Sequence, residues 1–128
     1  MSYSVFVQRF AHGDAAPMDD ALAQELLAPY VVRSEPEFGF VRIAASDGGR
    51  ADVYASPGSL MVSRFSWGGI LDVLAGLVER LDAVLLLQEG VAVLATAGQR
   101  AHLPPELQPD AVVVDLTGAA VRAVIEGL

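Results

Sequence analysis

The chain has 128 residues, 53% of them hydrophobic, and sixteen acidic against eight basic residues give a formal net charge of -8. That length and apolar content suffice to bury a substantial core and exclude a disordered chain, which needs low hydrophobicity and dense charge. The acidic surplus repels phosphate backbones and anionic lipid, so neither nucleic acid nor a membrane surface is an expected partner.

Residues 3–9, YSVFVQR, alternate with Tyr3, Val5 and Val7 on one face, the pattern of a half-buried strand. FAHGDAA then reads as a loop leading to Pro17, which suits a first helical turn, with Asp19 and Asp20 where negative charge favours the helix dipole. Met18, Leu22, Leu26 and Leu27 supply the apolar stripe of this first helix, which ends before Pro29. Strands are predicted next at 37–44, 50–56 and 59–65, joined into an antiparallel meander by the turns SDGG and SPGS. Within the meander Ala51, Val53 and Ala55 point one way and Asp52 and Tyr54 the other, leaving one face polar and accessible.

The second helix runs from Gly68 or Gly69 to Leu81, with Ile70, Leu74, Leu77 and Leu81 on one stripe and Leu71 and Val78 beside it. Strands at 83–88 and 91–96 flank Glu89 and Gly90 as a two-residue hairpin turn, and the continuous apolar run of the first predicts a strand covered on both faces. A loop or short helix over GQRAHLPPELQP precedes a buried strand at 111–115. Thr117 caps a last helix whose Val121, Val124, Ile125 and Leu128 fall at helical spacing. The order β-α-β-β-β-α-β-β-β-α, with about six to seven strands, defines a single α+β domain over 1–128: a largely antiparallel or mixed sheet with three helices packed on it.

No run reaches the roughly 18 to 20 apolar residues of a membrane span, and the N-terminus lacks the basic region, apolar core and cleavage site of a secretory signal. The expected location is the cytoplasm. All eight basic residues are arginine, so the lysine of a P-loop and the amine of Schiff-base chemistry are both missing. The absence of cysteine excludes disulfides, thiol nucleophiles and cysteine metal sites. G-x-G-x-x-G after a strand, the G-x-S-x-G elbow, H-E-x-x-H and the calcium loop do not occur, and no cofactor or metal is expected.

His12 and His102 are the side chains that ordinarily titrate near neutrality, and both fall in predicted loops. Gly13 allows a sharp turn beside His12, and Asp14, Asp19 and Asp20 offer oxygens to a small metal or general-base site. The spacing matches no ligand motif, and a solvated acidic loop explains the same residues. Serine catalysis would require Ser59, Ser63 or Ser66 beside a histidine and a carboxylate, without a nucleophile motif to support it.

In RFSWGG, Ser66 is expected to cap the second helix, with Gly68 and Gly69 leaving its first amides open to an anion and Arg64 adding a guanidinium. The preferred reading is structural, with Phe65 and Trp67 filling the core as a staple. Arg42, Asp52, Tyr54 and Arg64 are expected to share the polar face of the meander, where tyrosine and arginine form a pairing prominent at protein interfaces, although the preferred reading is a solvated sheet face.

In being small, acidic, cysteine-free and single-domain, the chain resembles bacterial immunity and inhibitor proteins, a likeness of character without a shared motif. That resemblance implies a non-enzymatic protein-binding module that covers a basic partner, with fast and salt-sensitive association. The alternatives are a small enzyme or ligand-binding domain with a pocket where Arg64, Trp67 and His12 converge, and a structural homo-oligomer such as a homodimer, with exposed aliphatic positions on an edge strand or the last helix.

Overall fold

Val5 and Val7 alternate with Phe6 and Gln8 along the first strand, β1 (Ser4–Ala11), and both valines are fully buried. They do so in a computed structural model that describes residues 3–128. β1 doubles back through His12 and Gly13 into β2 (Asp14–Ala16), which pairs Arg9 with Ala16 and Ala11 with Asp14. Both turn residues have positive φ, 54° and 85°, the backbone twist that two-residue hairpins require. FAHGDAA is therefore the tip of a hairpin and not a loop; a strand as short as β2 carries too little alternation to register in sequence.

Helix α1 (Asp20–Leu27) begins later than Pro17 implies, because Asp19 is its N-cap and accepts at Oδ1 from the Leu22 N–H at 2.9 Å. After Pro29 comes a strand the sequence pattern did not announce, β3 (Val31–Glu35), with three successive exposed residues at the sheet edge. Edge strands escape alternation because neither of their faces is fully buried. A turn at Pro36–Phe38 takes the place of the first residues of the strand expected at 37–44. The meander follows as β4 (Phe40–Ala44), β5 (Arg50–Ser56) and β6 (Ser59–Ser63). The remaining elements are α2 (Gly69–Arg80), β7 (Val84–Leu86), β8 (Ala92–Leu94), β9 (Val112–Val113) and α3 (Gly118–Glu126).

Among the described residues the strands form one nine-stranded sheet in the order β3-β4-β5-β6-β1-β7-β8-β9, with β2 paired to β1. All pairings are antiparallel except the parallel pair β8 and β9. The fold is α+β, with β2 and β3 accounting for the strands beyond the expected number. The three helices share one side of the sheet, where Ile70, Leu71, Leu74 and Val78 of α2 pack with Val5, Val7, Val53 and Val62. Each such side chain contributes roughly 1.5–3 kcal/mol when fully buried.

The other side of the sheet is divided. Over β7 and β8, residues 97–111 fold back so that Leu103 and Ala111 pack on Val84, Ala92 and Leu94 in a second core. Leu85 meanwhile faces the helices, so β7 is covered on both faces as its unbroken apolar run predicts. Over β4, β5, β6 and β1 the sheet is left uncovered, and Phe6 and Tyr54 there are 37% and 38% exposed. No helix among the described residues is long and apolar enough to cross a membrane.

Candidate functional site

The uncovered half of the sheet is organised in cross-strand rows. Opposed residues of antiparallel strands point to the same face and lie close enough to interact. The register places Phe40 opposite Tyr54, Tyr54 opposite Met61, Met61 opposite Phe6, and Phe6 opposite Leu86. One apolar row thus crosses five strands on the helix-free side. The Phe40 and Tyr54 rings are 5.1 Å apart, and the Arg42 guanidinium stands 5.8 Å from the centre of the Phe40 ring, within reach of a cation–π attraction.

A polar row runs beside it, pairing Arg42 with Asp52, Asp52 with Ser63 and Ser63 with Ser4. Arg42 Nε donates to Asp52 Oδ1 at 2.8 Å, and the hydroxyls of Ser4 and Ser63 are 2.9 Å apart. The hydrogen bond and charge of Asp52 hold the Arg42 guanidinium protonated even more firmly than usual. Asp52 is only 4% exposed, which corrects the expectation that it stands accessible. It is sunk between β4 and β6, and Arg42 above it neutralises a charge that would be costly to bury alone.

Arg42, Asp52 and Tyr54 therefore share one face as the alternation implied, but Arg64 does not belong to it. It follows the last paired residue of β6, takes a left-handed backbone at φ 53°, and forms no ion pair among the described residues. Trp67 is 45% exposed, a correction to its expected burial. Its ring meets Phe65 edge-on at 6.3 Å and lies 5.1 Å from the Arg122 guanidinium of α3. Phe65 in turn packs on Tyr3, so Phe65 fills the core margin and Trp67 caps it from outside.

The open helix start proposed for RFSWGG is filled from within the chain. Ser66 is not the cap of α2; the N-cap is Gly68, and Asp47 of the turn after β4 accepts at Oδ2 from the Gly69 N–H at 2.8 Å. Asp47 Oδ1 also accepts from Gly49 at 3.0 Å, and these hydrogen bonds hold its carboxyl below the ordinary carboxylate range. An anion therefore finds this helix N-terminus already paired with a carboxylate.

His12 and Asp14 lie at the opposite end of β1 from Arg64 and Trp67, about 23 Å away at the rise of an extended strand. The pocket expected where Arg64, Trp67 and His12 converge does not form. The two histidines instead meet each other, with rings 5.2 Å apart and the His12 backbone N–H donating to His102 Nδ1 at 3.2 Å. Asp14 is exposed and pairs across the hairpin with Ala11. Among the described residues, no group of three or more histidine, aspartate or glutamate side chains could hold a metal ion. A cavity of about 620 Å³ lies elsewhere, between α1 and the helix-covered face of β3 to β6.

Neither family models, nor curated proteins, nor solved structures provide a match to this chain. The residues of this row that sequence reasoning missed are Phe6 and Met61, which are partly exposed, and Phe40, which is buried at its end. A signal for two of them was present, since Phe6 sits between Val5 and Val7, and Met61 between Leu60 and Val62, each out of phase with its buried neighbours. That β6 and β1 bring them side by side is a matter of register, which alternation within one strand does not contain.

Proposed function

We propose that the chain is a non-enzymatic, cytoplasmic protein-binding module that uses its helix-free sheet face to cover a basic partner, in the manner of bacterial immunity and inhibitor proteins. The observation that carries this reading is the row Phe40, Tyr54, Met61 and Phe6, two of whose aromatics are more than one-third exposed beside the Arg42 and Asp52 pair. Contiguous exposed apolar surface is unusual on monomers and marks interaction sites, and tyrosine and arginine are enriched among the residues that dominate binding energy.

The net charge of -8 supplies the choice of a basic partner, through long-range steering. Part of the acid is engaged within the chain: Asp19 and Asp47 serve helix starts, while Asp52, Asp82 and Glu126 pair with arginines. The summed field then brings the partner in, and the aromatic row provides the short-range contact.

The test is retention of proteins from a native lysate on the tagged chain, at low and at high salt, with Tyr54→Ala run in parallel. Capture of a basic protein at low salt, reduced by Tyr54→Ala, supports the reading. Retention of nothing at either salt, or retention indifferent to Tyr54, rejects it.

A second reading, the homo-oligomer, draws on Val32, 59% exposed on edge strand β3, and Val113, exposed on edge strand β9. Unpaired strand edges with aliphatic side chains are the usual templates for pairing between copies. A sedimentation measurement that finds only monomer at high protein concentration eliminates it.

A further inference from the structure

The cavity beneath α1 is built like a small-molecule site. Its floor is Val41, Val53 and Leu60 of the meander, and its roof is Ala23 and Leu27 of α1. A volume of about 620 Å³ falls in the range of ligand pockets, and the space opens to solvent along Gln24, Ser34 and Ser56. Small residues keep it open: Ala23 on the roof and Ala55 on the floor stand where larger side chains would fill it. Gly39 at its margin approaches the Ala55 backbone so closely that its N–H-bearing strand allows no Cβ there, and Ala55 N–H donates to Gly39 O at 2.7 Å.

Polarity is confined to a few groups. Gln24, Ser34 and Ser56 offer hydrogen-bonding side chains, and Asp20 is the one charged residue among the described lining residues. Asp20 opens α1 and accepts weakly from the Gly58 N–H at 3.3 Å; it also lines a shallower neighbouring cavity of about 470 Å³. Among the described residues no arginine lines either space, so a carboxylate or phosphate ligand would meet a like charge and no counter-ion.

We propose that this cavity binds a small hydrophobic amine, with its hydrocarbon body between α1 and the sheet and its ammonium at the Asp20 carboxylate. The apolar walls select the body by removing it from water. The charge of Asp20, reinforced by the net -8 of the chain, selects the head. The site lies on the side of the sheet opposite Tyr54, Met61 and Phe6, and of the aromatic row only Phe40 reaches its lining, so a loss of amine binding and a loss of the partner contact at Tyr54 are distinguishable.

The test uses octylamine, octanol and octanoate, titrated into the isotopically labelled protein and followed by amide chemical shifts. The expected result is saturable binding of octylamine, weaker binding of octanol and none of octanoate, with shifts centred on Ala23, Val53 and Leu60. Asp20→Asn, which retains an acceptor for Gly58, is expected to weaken octylamine about tenfold, toward the octanol affinity, and to leave octanol unchanged. Ala55→Phe, its fold verified by thermal unfolding, is expected to abolish both. The proposal is overturned if octanoate binds as well as octylamine, if the shifts scatter over surface carboxylates away from the cavity, or if none of the three binds.

Discussion

The carboxylate of Asp47 caps α2 across twenty-two residues of sequence, accepting from the Gly69 N–H at 2.8 Å. Its hydrogen bonds hold the folded-state carboxyl below its ordinary value. The stabilisation it brings is therefore complete above the unfolded carboxylate range and is lost as pH falls through the depressed folded value. Asp47→Ala is expected to lower the midpoint of thermal unfolding at neutral pH, and the gap to the parent protein narrows as pH falls below the ordinary carboxylate range and closes below the depressed folded value. Circular dichroism melts across that range check it; a gap that persisted unchanged in acid would assign the cap to another group.

At the other helix start, Gly118 N–H donates to Asp72 Oδ1 at 2.9 Å, and a Cβ on residue 118 would collide with the Asp72 side chain and backbone. Gly118→Ala should destabilise the protein by about 1–3 kcal/mol, the usual cost of forcing an extra carbon into a packed site. Asp72→Ala should cost about 1 kcal/mol through loss of the hydrogen bond to the Gly118 N–H. Because the two residues touch, the double substitution should cost less than the sum, read from urea unfolding.

Trp67 is the sole tryptophan and its exposure gives a direct optical test. The native protein should show red-shifted emission that acrylamide quenches readily. Arg122→Ala removes the cation over the ring and should cost about 0.5–1 kcal/mol of stability. A blue-shifted, poorly quenched emission would return Trp67 to the core.

On the helix-free face, Tyr54 and Phe6 are exposed on one row. Replacing either with alanine should weaken binding of a captured partner by about 2 kcal/mol, as for residues at the centre of an interface, with a smaller loss of stability from its cross-strand contacts. Arg42→Ala should lower stability more, because Asp52 is left buried without its partner. Adding Asp52→Ala to that variant should restore part of the loss, which thermal unfolding would reveal.

The long periodic segments were legible from residues alone. The stripe of Ile70, Leu74 and Leu77 and the alternation of Val5 with Val7 both end buried against one another, because the periods of helix and strand leave only one face for the core. Thr117 caps α3 as read, accepting from the Ala120 N–H at 3.1 Å. The strands that escaped, β2 and β3, are short or at the edge, where no face is buried enough to impose a period.

By itself the sequence determined the α+β class, the meander, the central helix and the acidity, since each depends on local spacing or on composition. It also implied that Asp52 and Tyr54 share a face. Only the tertiary structure decided that Asp52 is buried under Arg42, that Trp67 is outside, that Asp47 occupies the start of α2, and that His12 meets His102 instead of Arg64 and Trp67. Each of those outcomes turns on register and on contacts between residues far apart in the chain, and the chain's local pattern carries the phase of each strand without the offset between strands.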